Sequence, residues 1–205
     1  MLIYEGLFSF NTEVLMRLSH FVSALVALPF IASTAQADER CNDLWFTRNA
    51  IINQAGYCFG STLGKALFDN SDCQGKSVAL SSEAQRQVAQ VQEMEKQANC
   101  RVDSSASWLD LQDLAQRRKL WHFPMWDDFE SACIGWLSSP AALRAGHNTE
   151  APIIGQIQVG DTVRYGHQVW GDWSYAMIFD ANWAFKTAGW INFNEADEAC
   201  EEFAG

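Results

Sequence analysis

The chain has 205 residues, 48% of them hydrophobic, and its 14 Lys and Arg stand against 25 Asp and Glu for a formal net charge of −11. A surplus of that size repels phosphate backbones and anionic lipid headgroups, which excludes nucleic-acid binding and docking on an acidic membrane surface. The acidity serves solubility and by itself implies no partner.

The first segment reads as an export signal. Met16-Arg17 begins a short positive region, Phe21 to Ala32 is an apolar run broken by Ser23 and Pro29, and Ala35-Gln36-Ala37 supplies the small-x-small pattern a signal peptidase accepts. The run of about twelve residues is shorter than the roughly 20 that span a bilayer as a helix, so no membrane span is expected in the mature chain. Residues 1–37 are read as the signal region, with translation starting at Met16 and the exported chain at Asp38. Removing Glu5, Glu13 and Arg17 with that piece, a net of −1, leaves 168 residues at −10, enough for one ordinary domain or two small ones.

All six cysteines (Cys41, Cys58, Cys73, Cys100, Cys133 and Cys200) lie beyond the cleavage point. An even count in an exported chain reads as three disulfides. No two are close enough for a C-x₂₋₄-C zinc pair, the nearest, Cys58 and Cys73, being fifteen apart. The four in the first half allow three connectivities. Cys41–Cys100 with Cys58–Cys73 is favoured because the second pair closes a local loop, and the others stay open.

In chain order, Asn42 or Asp43 caps a predicted helix whose apolar face is Leu44, Thr47, Ile51 and Ala55, with Gly56 as its stop. Gly60 to Ala66 reads as a turn: it is one residue too short for a phosphate-binding P-loop and has Ala66 where a hydroxyl is needed. A second helix starts near Ser82 with Gln85 completing a capping box, and Ala84, Val88, Val91 and Ala98 form its stripe. Residues 104–132 read as a connector with one short helix, about Leu109 to Leu120. Short strands then follow at 143–145, 153–157, 162–165, 173–178 and 189–191, divided by Gly160-Asp161 and Gly171-Asp172, a spacing that predicts a small barrel.

The strand region resembles the bacterial SH3 domain over residues 142–193. The residues that carry this are Ala142-Leu143-Arg144-Ala145-Gly146, Ala151-Pro152-Ile153-Ile154-Gly155, Gly160-Asp161-Thr162-Val163, Gly171-Asp172-Trp173 and Gly189-Trp190-Ile191. His147 stands where that family usually has Pro, and the stretch Phe179 to Ala188 is longer than its usual loop. The resemblance implies an SH3-like β-barrel packed by Trp173 and Trp190. First and last strands lie close together in such folds, which implies a Cys133–Cys200 disulfide. Residues 41–100 resemble the YARHG extracellular domain through Leu44, Arg48-Asn49, Ile51 and Gly56-Tyr57-Cys58-Phe59, with Asn53-Gln54-Ala55-Gly56 in place of the family's Ala-Arg-His-Gly. That resemblance implies an envelope or extracellular location and no established catalysis. The expected organisation is α+β: a disulfide-stapled helical domain at 38–103, the connector, and the barrel domain at 133–200.

No enzyme signature emerges. A cysteine nucleophile needs a spare thiol, and Gly60 to Gly64 has Thr62 where a serine-hydrolase elbow has Ser. His122, His147 and His167 form no H-E-x-x-H or close pair, and His147 and His167 read as polar surface residues on a loop and a hairpin tip. Asp127-Asp128 and Glu150 carry no weight in so acidic a chain. No cofactor is implied.

Aromatics are the remaining lead, because they offer large apolar area with little entropy to lose. Trp170, Trp183 and Phe185 exceed the SH3 packing pattern, and with Tyr175 they make the candidate binding set. The loop holding Trp183 and Phe185 is expected to pack on the helical domain. The expected function is that of a non-enzymatic envelope protein in the periplasm or outside the cell, binding an envelope protein, peptide or peptidoglycan fragment. A cell-wall hydrolase, or an accessory to one, is the alternative.

Overall fold

In the computed structural model, which describes residues 34–205, the N-terminal half is helical. The signal-region features from Met16 to Ala32 lie outside the described residues. Helix α1 runs Thr34–Gln54, well upstream of the predicted start. Asn42 and Asp43 are therefore not caps. Asn42 donates to the Asp110 carbonyl at 3.0 Å, and Asp43 is buried, its carboxylate taken by tertiary partners. The helix stops at Gly56, where φ is +86° and a Cβ would lie 2.9 Å from the Gln74 side chain. Both constraints demand glycine.

The string read as a turn is instead helix α2, Thr62–Leu67, capped by Ser61, whose hydroxyl accepts from the Gly64 amide at 3.1 Å. Helix α3 covers Ser82–Gln97. Its cap is Ser81 rather than Ser82, and Gln85 donates to the Leu80 carbonyl. Val88 and Val91 of the predicted stripe are buried. Arg48 holds α1 to α3 by donating from Nε and Nη2 to the Glu95 carboxylate, and Cys41–Cys100 closes the same pair of helices. Cys58–Cys73 staples the loop between α1 and α3. The connector helix shrinks to one turn, α4, Leu114–Arg117, because Leu109 and Leu111 enter the helical core from non-helical chain.

The sheet has seven antiparallel strands: β1 Trp126–Trp136, β2 Ala141–Arg144, β3 Ile153–Ile157, β4 Thr162–His167, β5 Trp173–Phe179, β6 Phe185–Asn192 and β7 Cys200–Ala204, in the spatial order β3-β2-β6-β5-β4-β1-β7. Five of these match the predicted strands. β1 and β7 were not anticipated, and they pair with each other, joined by Cys133–Cys200. The sheet is open, with β3 and β7 as its edges, so the expected closed barrel is replaced by a sheet that curls without closing. Curling follows from the core: Cys133, Trp136, Leu143, Ile157, Val163, Ile178 and Ile191, drawn from six strands, form one cluster. The opposite face of β5 and β6 presents Tyr175, Met177, Phe179 and Trp190, which pack with Leu120 and Phe123 from the strap that leads out of the helical half. Helices and sheet belong to one compact unit, Ala32–Gly205. Among the described residues no helix is long and apolar enough to cross a membrane.

Candidate functional site: an aromatic and histidine groove beside a buried charge network

The segment Trp121-His122 lies as a strap on the sheet. The Trp121 amide donates to the Ala145 carbonyl at 2.7 Å, and Trp190 Nε1 donates to the His122 carbonyl at 2.9 Å. Gly146 permits the approach, since a Cβ there would lie 2.5 Å from His122 Nδ1. That Nδ1 accepts from the His147 amide at 3.2 Å, so the proton of neutral His122 sits on Nε2. The two imidazoles stack with centroids 3.9 Å apart, and Trp170 stacks on His147 at 4.8 Å. Burial pushes the pKa of both histidines below its ordinary value, and for His147 the neighbouring His122 adds to the effect.

These rings line a groove of about 470 Å³, together with Gln54 and Ala55 at the end of α1 and Ser81, Glu83 and Gln87 at the start of α3. Trp121 and Trp170 are half exposed there, at 50% and 48%. Trp170 owes its position to a tight turn in which Trp170 and Trp173 exchange backbone hydrogen bonds and Gly171 adopts φ +59°. Two half-exposed indoles thus stand beside amide, hydroxyl and carboxylate side chains.

The four predicted binding residues are not brought together. Trp170 alone lines the groove. Trp183, at φ +61° on the β5–β6 turn, is 54% exposed and lies in a separate depression with Phe179, Ala204 and Gly205. The expectation that its loop packs on the helical half is thereby corrected: Asp180 shapes the turn by accepting from the Asn182 and Ala184 amides, so the hairpin ends on itself. Phe185 opens β6 half-buried, edge-on to Phe179. Tyr175 is wholly buried, which removes it from any binding surface.

Tyr175 instead belongs to a network between the helices and the sheet. Its hydroxyl donates to Asp113 Oδ2 at 2.7 Å, Arg117 Nε donates to both Asp113 oxygens at 2.8 Å, and Arg117 Nη2 donates to Asp43. Arg117 Nη1 reaches Thr47 Oγ1 at 3.3 Å. His167 Nε2 lies 2.8 Å from Asp43 Oδ2. Nε2 also lies 3.0 Å from Arg117 Nη2, so it can donate to Asp43 in one tautomer or accept from Arg117 in the other. The shorter contact, to a carboxylate that only accepts, favours the proton on Nε2. Burial alone would raise the Asp43 pKa, but Arg117 and His167 outweigh it and hold the group below its ordinary value. Burial, reinforced by Asp113, pushes the Tyr175 hydroxyl well above its usual range. His167 is therefore no surface residue, and the hairpin tip assigned to it is the buried end of β4.

Cys133, Cys200 and Glu198 come within metal-ligand distance of one another, but the two sulfurs are bonded to each other and offer no thiolate. All six cysteines form disulfides, which goes with an oxidising, non-cytoplasmic compartment.

Residues 99–205, more than half of the sequence, match the family model described as Domain of unknown function (DUF4453). The chain belongs to the DUF4453 family. It is that model, and not a bacterial SH3 one, that covers the SH3-like stretch. The YARHG domain model matches residues 20–96. No curated protein and no solved structure matches the chain. In this DUF4453 chain the YARHG-motif residues serve the helical core: Leu44 and Ile51 are buried, Arg48 pairs with Glu95, and Asn49 donates to the Trp45 carbonyl at 2.7 Å.

Proposed function

We propose that the protein is a non-enzymatic binding protein of the periplasm or extracellular space, and that its aromatic and histidine groove seats a glycan, with peptide the second choice. The observation that carries this is the pair of half-exposed indoles, Trp121 and Trp170, lining one groove with Gln54, Gln87, Ser81 and Glu83. Sugars present apolar C–H faces and hydroxyl rims, and a groove of indole faces beside amide and carboxylate groups meets both needs. The groove also gathers the positions where this chain departs from the two motifs it resembles. Gln54 and Ala55 stand in place of the YARHG Arg and His, and His147 stands in place of the SH3 Pro. On this reading β2–β6 are a divergent SH3-like module that presents the strap and the Trp170 turn. The hydrolase alternative has less support, since the disulfides occupy every thiol a cysteine peptidase would use.

The test is titration of the oxidised protein, followed by tryptophan fluorescence, with muropeptides and separately with their sugar-free stem peptides. Muropeptide binding that weakens about thirtyfold in Trp170→Ala or Trp121→Ala, the loss of an aromatic hot spot, is the expected result. Saturable binding of the stem peptide at equal strength would move the ligand class to peptides. Binding that ignores both substitutions would remove the groove from consideration.

A further inference from the structure

Against the charge network lies a second cavity, of about 390 Å³, bounded by α1 near Glu39 and by β1 and β4. Its floor is the buried trio Asp43, Asp113 and Arg117, in which two carboxylates share one guanidinium. Its mouth carries Glu39, Asp127, Asp128 and Glu130 against Arg40 and Arg164. Six carboxylates thus face three guanidiniums, a surplus of three negative charges before His167 is counted. Ion pairs of Arg40 with Asp128, and of Arg164 with Glu39 and Glu130, use the mouth cations without removing the surplus.

The wall supplies a second, independent sign. The His167 side chain is only 4% exposed and lines this cavity; its Nε2 is engaged by Asp43 and Arg117, and its Nδ1 has no hydrogen-bond partner among the described residues. A buried polar atom left unpaired costs stability, and so does a buried surplus of charge. With the Nε2 proton turned to Asp43, Nδ1 is an acceptor, and one kind of group then meets both needs: a cation that donates N–H. Trp126, Leu111 and Met177 add an apolar wall, and an indole attracts a cation further. Gly166 also lines the cavity, and among the described residues a Cβ there would meet only Glu130 Oε1, at 4.0 Å.

We propose that this cavity is a second binding site, separate from the aromatic groove, for an ammonium or guanidinium group on an apolar stem, presented as a basic side chain of a peptide partner.

The experiment is calorimetric titration of the oxidised protein with the blocked tripeptides acetyl-Ala-Lys-Ala-amide and acetyl-Ala-Arg-Ala-amide, the Nε-acetyl-lysine version, and spermidine. The Lys and Arg peptides are expected to bind, more weakly as salt rises, with acetylation of the lysine costing about tenfold or more. Gly166→Val fills the mouth at an ordinary φ and should lower that affinity by a similar factor, about tenfold, at an unchanged melting temperature. Asp127→Asn and Asp128→Asn, both at the mouth, should each weaken binding several-fold. Trp170→Ala must leave it untouched, which separates this site from the groove. Equal binding of the acetylated peptide, indifference to Gly166→Val, or no binding of any of the amines would each overturn the proposal. Spermidine binding tightly while the peptides do not would overturn the assignment to a peptide partner and leave a free-amine site in its place.

Discussion

The Tyr175 hydroxyl of β5 donates to Asp113 Oδ2 at 2.7 Å, and this one hydrogen bond joins the centre of the sheet to the segment that leads out of the helical half. Asp113 is fully buried and is shared with Arg117, which in turn reaches Asp43 of α1. Sheet, connector and first helix therefore meet on one guanidinium.

Removing that guanidinium should cost more than removing the hydroxyl. Arg117→Met leaves two buried carboxylates without their cation, a loss of about 3–5 kcal/mol. Tyr175→Phe takes away one hydrogen bond to a charged group and leaves Asp113 with Arg117, a loss of about 1.5–3 kcal/mol. Urea denaturation of the two variants checks the order. Equal effects, or a near-neutral Arg117→Met, would mean that the network does not hold the halves together.

The β1–β7 staple gives a local prediction. Among the described residues β7 bonds to no strand but β1, and it is mostly exposed, so Cys133–Cys200 is its main constraint. Replacing both cysteines by Ser should cost about 2–5 kcal/mol and release β7 first. Amide exchange at Cys200 to Ala204 should accelerate ahead of exchange in β5. Uniform acceleration across the sheet would show that the staple supports the whole core instead.

Legibility in the sequence followed the range of the forces involved. Local signals were sound: Gly56 ends α1, Val88 and Val91 face inward, and five strands lie where alternation and turns put them. The three disulfides also pair as favoured. Signals set by tertiary partners were misread. Asp43 carries the chemistry of a cap but spends its carboxylate on Arg117 and His167, far off in sequence. Strand β1 was hidden by Asp127, Asp128 and Glu130, charges a strand can carry because they face a cavity mouth. The groove was found only through Trp170. Trp121, His122 and His147 come from separate segments, and nothing in their spacing announces a stack. Gly146 beside His147 was the available clue, as a position where a second chain segment approaches closely.

Trp183 and Trp136 should respond very unequally to truncation. Trp183 is 54% exposed on its turn, so Trp183→Ala should change stability by no more than about 0.5 kcal/mol. Trp136 is fully buried in the sheet core, and Trp136→Ala should cost about 3–5 kcal/mol. Melting curves decide it; a large loss at Trp183 would restore the packed loop that the sequence led one to expect.

The histidine stack predicts a pH dependence whose sign is fixed by burial. Desolvation lowers the native pKa of both His122 and His147 from the ordinary 6.5, with Glu83 opposing weakly. Between that value and the lowered native ones, the unfolded chain takes up protons that the native chain refuses. Their contribution to stability is thus complete above about pH 6.5 and is lost as pH falls from there towards the native values. Two imidazolium rings 3.9 Å apart would also repel, and a proton on His122 Nδ1 would break its bond from the His147 amide. The Asp43 effect is distinct, because its lowered pKa confines it to far more acid solution. His122→Asn keeps an acceptor for the His147 amide without a titrating ring, and with His147→Asn it should flatten the slope of stability against pH from about pH 7 to about pH 5. Urea midpoints across that range measure it. A double variant with the wild-type slope would show that these two histidines are not what makes the protein sensitive to mild acid.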